Sequence, residues 1–509
     1  MISAVWPTGA SVLVLLPWIC PWSDWPAPAV LPLLVNVACL ALLSGGIALS
    51  GLPRQTLWRA ACWGWLFAAL ANTVLALLQF FDLVSSFQSW VAQNPPGQFY
   101  GNVRQRNQYA TLCAMGLAVL LWRGRSSGEI GSTAVPARSA MLASVLAAAL
   151  LGVGLALSKS RTGLMELVLL WLLLVGWKGR ALTTARAGSV EVRMMLVAAL
   201  AYALSSWLMP LWTGNQETSL TRLLATDDSC ASRRLLWGNM WQLVMQKPWL
   251  GWGWDPINYA HFVTEYQGPR FCGILDNAHN LPLHLAVTLG LPVALLIVAV
   301  VALVIYRAKP WHAVESDQRL AWAVLALIGM HSMVEYPLWT AQFQLAVLLC
   351  SWYLYGGRRP GPAAHAWLAN PVWSTPLARA VALTWAAALL LACALVYRSY
   401  DRVRQLYVPP QLRPPEYAKG IGLQARDIAL FVHEIGIAQL NAAVTPNNAQ
   451  NMLDLALDSL RNRVTPLALE RAIAALKLLG RVDEARLYEA RYQAILPQDY
   501  AHWRSSGRQ

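Results

Sequence analysis

What most constrains this chain is a repeated pattern. Uncharged apolar stretches about as long as a hydrocarbon core is thick recur from the first residues to residue 397. Eleven are expected as spans, near 3–22, 27–50, 60–81, 107–122, 139–158, 162–177, 194–213, 280–306, 320–336, 338–356 and 380–397. The first is interrupted by Pro7, Pro17 and Pro21, and the runs at 162–177 and 320–336 are short. Only 13% of the 509 residues are charged, against roughly 25% in a soluble domain. That excludes an ordinary cytosolic enzyme, a disordered chain and a collagen-like fibre. The expected fold class is all-α, a polytopic helical membrane protein of about 11 transmembrane helices.

The net charge of +14 suggests nucleic acid or anionic lipid as partner, but in a membrane chain the positive-inside bias comes first. With the N-terminus cytoplasmic, the inward loops carry Arg54, Arg59, Arg123, Arg125, Arg138, Lys178, Arg180, Arg186, Arg193, Arg307, Lys309, Arg319, Arg358, Arg359 and Arg379. Nine cations remain for the opposite face: Arg104, Arg106, Lys159, Arg161, Arg222, Arg233, Arg234, Lys247 and Arg270. Orientation does not account for these nine, and no nucleic-acid partner is expected.

Two segments on that face are large. Residues 214–279 form a long periplasmic loop within a membrane domain at 1–397, and 398–509 form a periplasmic tail opened by Pro409, Pro410, Pro414 and Pro415. The tail turns helical at 446–462, 465–480 and 482–495. Ala468 to Ala490, turning at Gly480, is similar to a tetratricopeptide helix pair; a small helical bundle docked on the membrane domain is the plainer alternative. Cys230 and Cys272 share the long loop, which the topology places in an oxidising compartment, and a disulfide between them is expected; two separate thiols are the alternative.

The surplus cations fall in pairs on three outer segments: Arg104 and Arg106 in Gly101-Asn-Val-Arg-Gln-Arg-Asn107, Lys159 and Arg161 in Ser158-Lys-Ser-Arg-Thr-Gly163, and Arg233 with Arg234 before a helical stretch. Arginine at a membrane boundary is costly unless it meets an anion or water, and guanidinium binds phosphate bidentately. One reading is a diphosphate site. The other is ion pairing with Asp227, Asp228, Asp276 or Glu166, or snorkelling to headgroups. His279, in Asp276-Asn-Ala-His-Asn280, is placed to take a proton from a hydroxyl, its ring oriented by Asp276 or Asn280. A hydrogen-bonded structural histidine at a helix start is the bland alternative. His284, five positions on, lies on another helix face and reads as a core residue. Glu335, in His331-Ser-Met-Val-Glu-Tyr-Pro337, would pair with an arginine or hold the acceptor, unless the segment is simply an interfacial turn.

There is no P-loop, GxGxxG unit, HExxH or nucleophile elbow, and no Asp-x-Asp pair for a metal nucleotide. No cofactor and no metal are expected, so an enzyme built this way needs a pre-activated, membrane-borne donor. A transporter would place ionisable residues at mid-membrane on several spans; here only Glu166, His284 and His331 come near the interior.

Gly101-Asn-x-x-Gln-Arg-Asn107, Ser160-Arg161, Arg233-x-x-x-Trp237, Pro248-Trp-Leu-Gly-Trp-Gly-Trp254, Asn277-Ala-His-Asn-Leu281 and His331-Ser-x-x-Glu-Tyr-Pro337 stand in the order seen in one family. The chain resembles the bacterial O-antigen ligase/polymerase superfamily over roughly residues 5–500, most of all its PglL-like protein O-oligosaccharyltransferase branch. The resemblance implies transfer of a glycan from undecaprenyl pyrophosphate, at the periplasmic side of the bacterial inner membrane, to Ser or Thr hydroxyls of a pilin or other exported protein. In the ligase branch the acceptor is lipid A–core. It also implies metal-independent chemistry, with His279, Arg161 and Arg233 matching the essential residues and Arg106 falling in a matching motif. Gln105, Asn107, Lys159, Arg234, Asn280 and Glu335 are expected around the substrate, and inversion at the anomeric carbon is expected because no carboxylate pair suited to a covalent intermediate is visible.

Overall fold

The computed structural model describes residues 2–23, 25–50, 53–84, 87, 90–95, 97–123, 138–178, 188–213, 218, 221–222, 230–254, 257–356 and 375–506. Among the described residues all regular structure is helical and no strand occurs. Arg125, Arg180, Arg186, Asp227, Asp228, Arg358 and Arg359 lie outside them.

Every expected span falls on helix. In chain order come α1 (Ile2–Ile19), α2 (Val30–Ser50), α3 (Arg54–Phe80), α4 (Arg106–Arg123), α5 (Arg138–Leu157), α6 (Arg161–Lys178) and α7 (Gly188–Thr213). After α8 (Arg233–Gln246) and α9 (Ile257–Val263) come α10 (Leu281–Leu289), α11 (Leu291–Ala308), α12 (Ser316–Ser332), α13 (Ala341–Gly356) and α14 (Pro376–Arg404). Among the described residues six stretches are long and apolar enough to cross a membrane: Val30–Ser50, Arg54–Phe80, Arg138–Leu157, Val190–Trp212, Leu291–His312 and Pro376–Tyr407. Helix α4 falls short for a physical reason, since its first two turns carry Arg106, Asn107, Gln108 and Thr111. The rest of α4 is the centre of the bundle: Tyr109, Leu112, Cys113 and Leu117 are fully buried against α3, α5, α6 and α12.

The run at 280–306 is not one helix. Gly290, at φ +82°, separates α10 from α11, and Pro292 starts the second piece. Into this break packs the loop 248–253. Trp252 N–H donates to the Val287 carbonyl (2.8 Å), Gly253 N–H to Thr288 (2.9 Å), and Leu291 N–H returns a bond to Pro248 (2.7 Å). A Cβ on Gly290 would stand 2.2 Å from the Trp249 carbonyl oxygen, so only glycine fits both the turn and the approach.

Beyond α14 the chain forms α15 (Ala425–Gln439), α16 (Ala449–Asn462), α17 (Pro466–Leu478), α18 (Val482–Ile495) and α19 (Pro497–Ser505). Apolar residues of α16 to α19, among them Leu453, Leu469, Ile473 and Tyr492, make a core that also takes in Phe262 of the long loop. Gly273 N–H donates to the Ile495 carbonyl (2.7 Å), and Arg463 lies 3.5 Å from Asp276. Loop and tail thus share one core. Cys230 and Cys272 are joined by a disulfide, their Cα atoms 5.3 Å apart.

Candidate active site

The site is assembled where α4, α6 and α8 begin and α12 ends. Two amides at the end of α3 fix the segment that leads into α4. The Gln79 side chain donates to the carbonyls of Ala92 (2.9 Å) and Gly101 (3.2 Å) and accepts from Gly101 N–H (2.9 Å). Asn72 Oδ1 accepts from Asn102 N–H (2.9 Å). Gly101 sits at φ +59°, and a Cβ there would meet the Asn72 carbonyl oxygen at 2.7 Å. So held, the chain enters α4 with Gln105, Arg106 and Asn107 facing a cleft of about 400 Å³.

Five arginines line that cleft: Arg104, Arg106, Arg161, Arg222 and Arg233. Among the described residues its one acidic lining residue is Glu335. Arg106, Arg161 and Arg233 are each the first residue of their helices. The macrodipole makes a helix N-terminus positive, so a cation there is at the wrong end for stability. Three such ends, each bearing an added guanidinium, form a place for an anion with several charges. Arg104 donates to the Ser23 carbonyl (3.1 Å) and Arg222 to the Lys159 carbonyl (3.0 Å), which fixes their heads. Arg161 has no hydrogen bond or ion pair among the described residues. Nη1 of Arg233 is buried without a partner there.

Glu335 is the hub. Helix α12 stops at Ser332, Glu335 N–H bonds back to the His331 carbonyl (2.9 Å), and Pro337 prevents continuation. The buried carboxylate accepts from Asn107 Nδ2 (2.9 Å) and from Arg233, and its other oxygen lies 2.8 Å from His279 Nδ1. Burial alone would raise its pKa. The His279 hydrogen bond and charge, together with the Arg233 guanidinium, outweigh burial and hold it below the ordinary carboxylate value.

His279 is held in a left-handed conformation (φ +50°), its N–H donating to Asn277 Oδ1 (2.8 Å) and its ring edge-on to Tyr336 at 5.0 Å. With Nδ1 engaged by Glu335, Nε2 is left unbonded among the described residues on a side chain 28% exposed. The ring does not line the arginine cleft; it joins that cleft through Glu335.

Other expected residues have separate uses. Asn107 also accepts from Ser160 Oγ (2.6 Å), and Gln105 lines the cleft while accepting from Gln108 N–H (2.6 Å). Asn280 caps α10 through Leu283 N–H (3.0 Å) and donates to the Met333 carbonyl (3.1 Å). Asp276 bonds Asn258 (3.3 Å) and pairs with Arg463, so Glu335 orients the imidazole and neither Asp276 nor Asn280 does. Arg234 is exposed and Lys159 offers its carbonyl, and neither lines the cleft. Lys247 lies over the Trp252 ring (3.9 Å), and Arg270 donates to the Thr264 carbonyl (3.0 Å). His284 is buried between Trp339 and Trp254. Gln98, Tyr100, Arg104 and Arg222 also belong to the cleft; of these only the two arginines had a sequence signal, as members of the unexplained cations.

Beneath the cleft, Thr111 Oγ1 bridges Glu166 (2.5 Å) and His331 Nδ1 (2.8 Å) and bonds to the Asn107 carbonyl (3.0 Å). Glu166 therefore pairs with a hydroxyl and not with an arginine. Both Glu166 and His331 are fully buried.

Comparison with known proteins bears on what such a cleft does. A family model described as "O-Antigen ligase" matches residues 146–298. One described as "Virulence factor membrane-bound polymerase, C-terminal" matches 319–509, and one described as "Protein glycosylation ligase" matches 100–123. A General O-oligosaccharyltransferase of Acinetobacter baylyi is 29% identical over 112 residues, 22% of this chain and 19% of that protein. The match thus spans about a fifth of that relative's length.

Proposed function

We propose that this chain, which three models of O-antigen ligase, polymerase and protein glycosylation ligase families match in part, is a ligase-type glycosyltransferase acting at the periplasmic face of the bacterial inner membrane. Its donor is a glycan on undecaprenyl pyrophosphate, and its acceptor is a Ser or Thr hydroxyl of a pilin or another periplasmic protein. The observation that carries this reading is the cleft that, among the described residues, holds five arginines and one carboxylate, three of the arginines at helix N-termini. Among the described residues the cations of the cleft outnumber its carboxylate, and a pyrophosphate carries negative charge that matches them. The disulfide between Cys230 and Cys272 suits an oxidising compartment on the same side.

In this reaction the acceptor oxygen attacks the anomeric carbon as the bond from that carbon to the lipid pyrophosphate breaks. His279 Nε2 takes the hydroxyl proton; Glu335 fixes the tautomer through Nδ1 and stabilises the imidazolium that forms. Arg106, Arg161 and Arg233 neutralise the charge growing on the departing pyrophosphate, which places the positive charge on guanidinium groups without a metal. A single displacement inverts the anomeric centre.

The match of residues 146–298 to a model described as "O-Antigen ligase" supports a second reading, in which the acceptor is the sugar of lipid A–core that the resemblance to the ligase branch implies. Purified protein given a lipid-pyrophosphate glycan with either a pilin or lipid A–core separates the two. Transfer to pilin that falls at least about a hundredfold in His279→Ala and Arg233→Ala is the expected result. Transfer to core lipid alone selects the ligase reading, and full activity in both variants overturns the assignment of the site.

A further inference from the structure

A second cavity, of about 280 Å³, lies on the far side of Arg104, between the end of α1, the start of α2 and the turn into α13. Arg104 lines both spaces. The second one differs in chemistry. Around it stand four carboxamides, Asn36, Asn102, Gln108 and Gln342, and the indoles of Trp18, Trp22 and Trp339; the Asn102 side chain is already engaged by Ala92 N–H and the Ile19 and Trp90 carbonyls. Asn36 sits two turns inside apolar α2 and is only 5% exposed. Its Nδ2 donates to the Pro32 carbonyl (2.8 Å), whereas Oδ1 is buried with no partner among the described residues. The side chains of Gln108 and Gln342 likewise bond to no described residue.

An unpartnered buried acceptor costs stability unless a ligand brings it a donor. A phosphate brings none near neutral pH, and a hydrocarbon chain brings none at all. A sugar ring brings several hydroxyls, each both donor and acceptor, and apolar C–H faces that lie against indole rings. Few polar groups converging in an aromatic-walled hollow is the usual form of a small-molecule site. The first turn of α4 reaches both spaces, through Gln105 to Asn107 on the arginine side and Gln108 on the other. A ligand with its diphosphate on the arginines therefore has this cavity beside it.

We propose that this cavity is a sugar subsite, seating a pyranose ring of the lipid-linked glycan against Trp22 and Trp339 with its hydroxyls on Asn36, Gln108 and Gln342. The proposal rests on the donor reading given above. It makes the carboxamides selectors for the glycan, separate from the arginines that hold the pyrophosphate.

The test uses the full chain in lipid nanodiscs and two probes, bare undecaprenyl pyrophosphate and the same lipid carrying one hexose. Asn36→Leu and Gln108→Met are expected to weaken the sugar-bearing probe about tenfold, leave binding of the bare probe unchanged and not lower the melting temperature. Equal loss for both probes would assign the cavity to the lipid chain and overturn the proposal. Unchanged binding of both, with a raised KM for the acceptor polypeptide, would make it a peptide site and overturn it as well. Failure of the donor reading looks different: the unmutated protein would bind neither probe, or Arg161→Ala would bind the bare lipid as well as the unmutated protein does, and the subsite proposal would fall with it.

Discussion

His279 and Glu335 stand 56 positions apart in sequence and 2.8 Å apart in space. Each residue was visible in the chain as a candidate, but the bond between them was not, because nothing local ties a loop histidine to a turn after another helix. The local alternatives, Asp276 and Asn280, were closer in sequence and are occupied elsewhere. Glu335→Gln tests the pairing. It keeps the size of the side chain but removes the charge that holds the imidazolium, so kcat is expected to fall at least about tenfold with little change in donor KM, measured by initial rates. The same variant has a pH signature. Because the folded-state pKa of Glu335 is lowered, its contribution to stability is complete above the unfolded carboxylate value of about 4.3 and is lost as pH falls from there through the lowered value. The gap in melting temperature between the unmutated protein and Glu335→Gln is therefore flat at neutral pH and closes only in acid. A gap that closes between pH 8 and 6 would contradict this.

At the scale of elements, the apolar runs located the helices because burial in a bilayer leaves backbone groups no partner but their own helix. For the same reason the run at 280–306 reads from sequence as one continuous span. Its apolar character continues through Gly290, while the break is set by a tertiary contact with the loop 248–253 that hydropathy cannot register. Gly290→Ala places a Cβ 2.2 Å from the Trp249 carbonyl oxygen and forces a side chain to φ +82°. A loss of about 1–3 kcal/mol is expected, seen as a lower melting temperature, with faster proteolysis at the exposed pair Trp249 and Leu250. A variant as stable and as protease-resistant as the unmutated protein would show that the break tolerates a side chain. The convergence of α4, α6 and α8 on one cleft was also hidden. In sequence the arginines that begin them fall in three separate pairs, and only the bundle brings their helix ends together.

Across the whole molecule, charge says most when sorted by place. Of the nine cations that orientation left unexplained, Arg104, Arg106, Arg161, Arg222 and Arg233 meet in the cleft. Lys159, Arg234, Lys247 and Arg270 have other surroundings. The loop and tail, two segments in sequence, form one core around Phe262, which puts the tail close behind His279's loop. Arg402 and Asp427 tie α14 to α15, with bonds of 2.6 and 3.0 Å, and hold the Asp427 carboxyl at about 2 in spite of its burial. The central claim is that the arginine cleft holds a lipid pyrophosphate. Equilibrium binding of undecaprenyl pyrophosphate and undecaprenyl monophosphate to the intact protein tests it directly. Preference for the diphosphate by about tenfold or more is the expected result, with a tenfold to hundredfold loss in Arg161→Ala and no loss in His279→Ala. Equal binding of the two lipids, unaffected by Arg161→Ala, would contradict it.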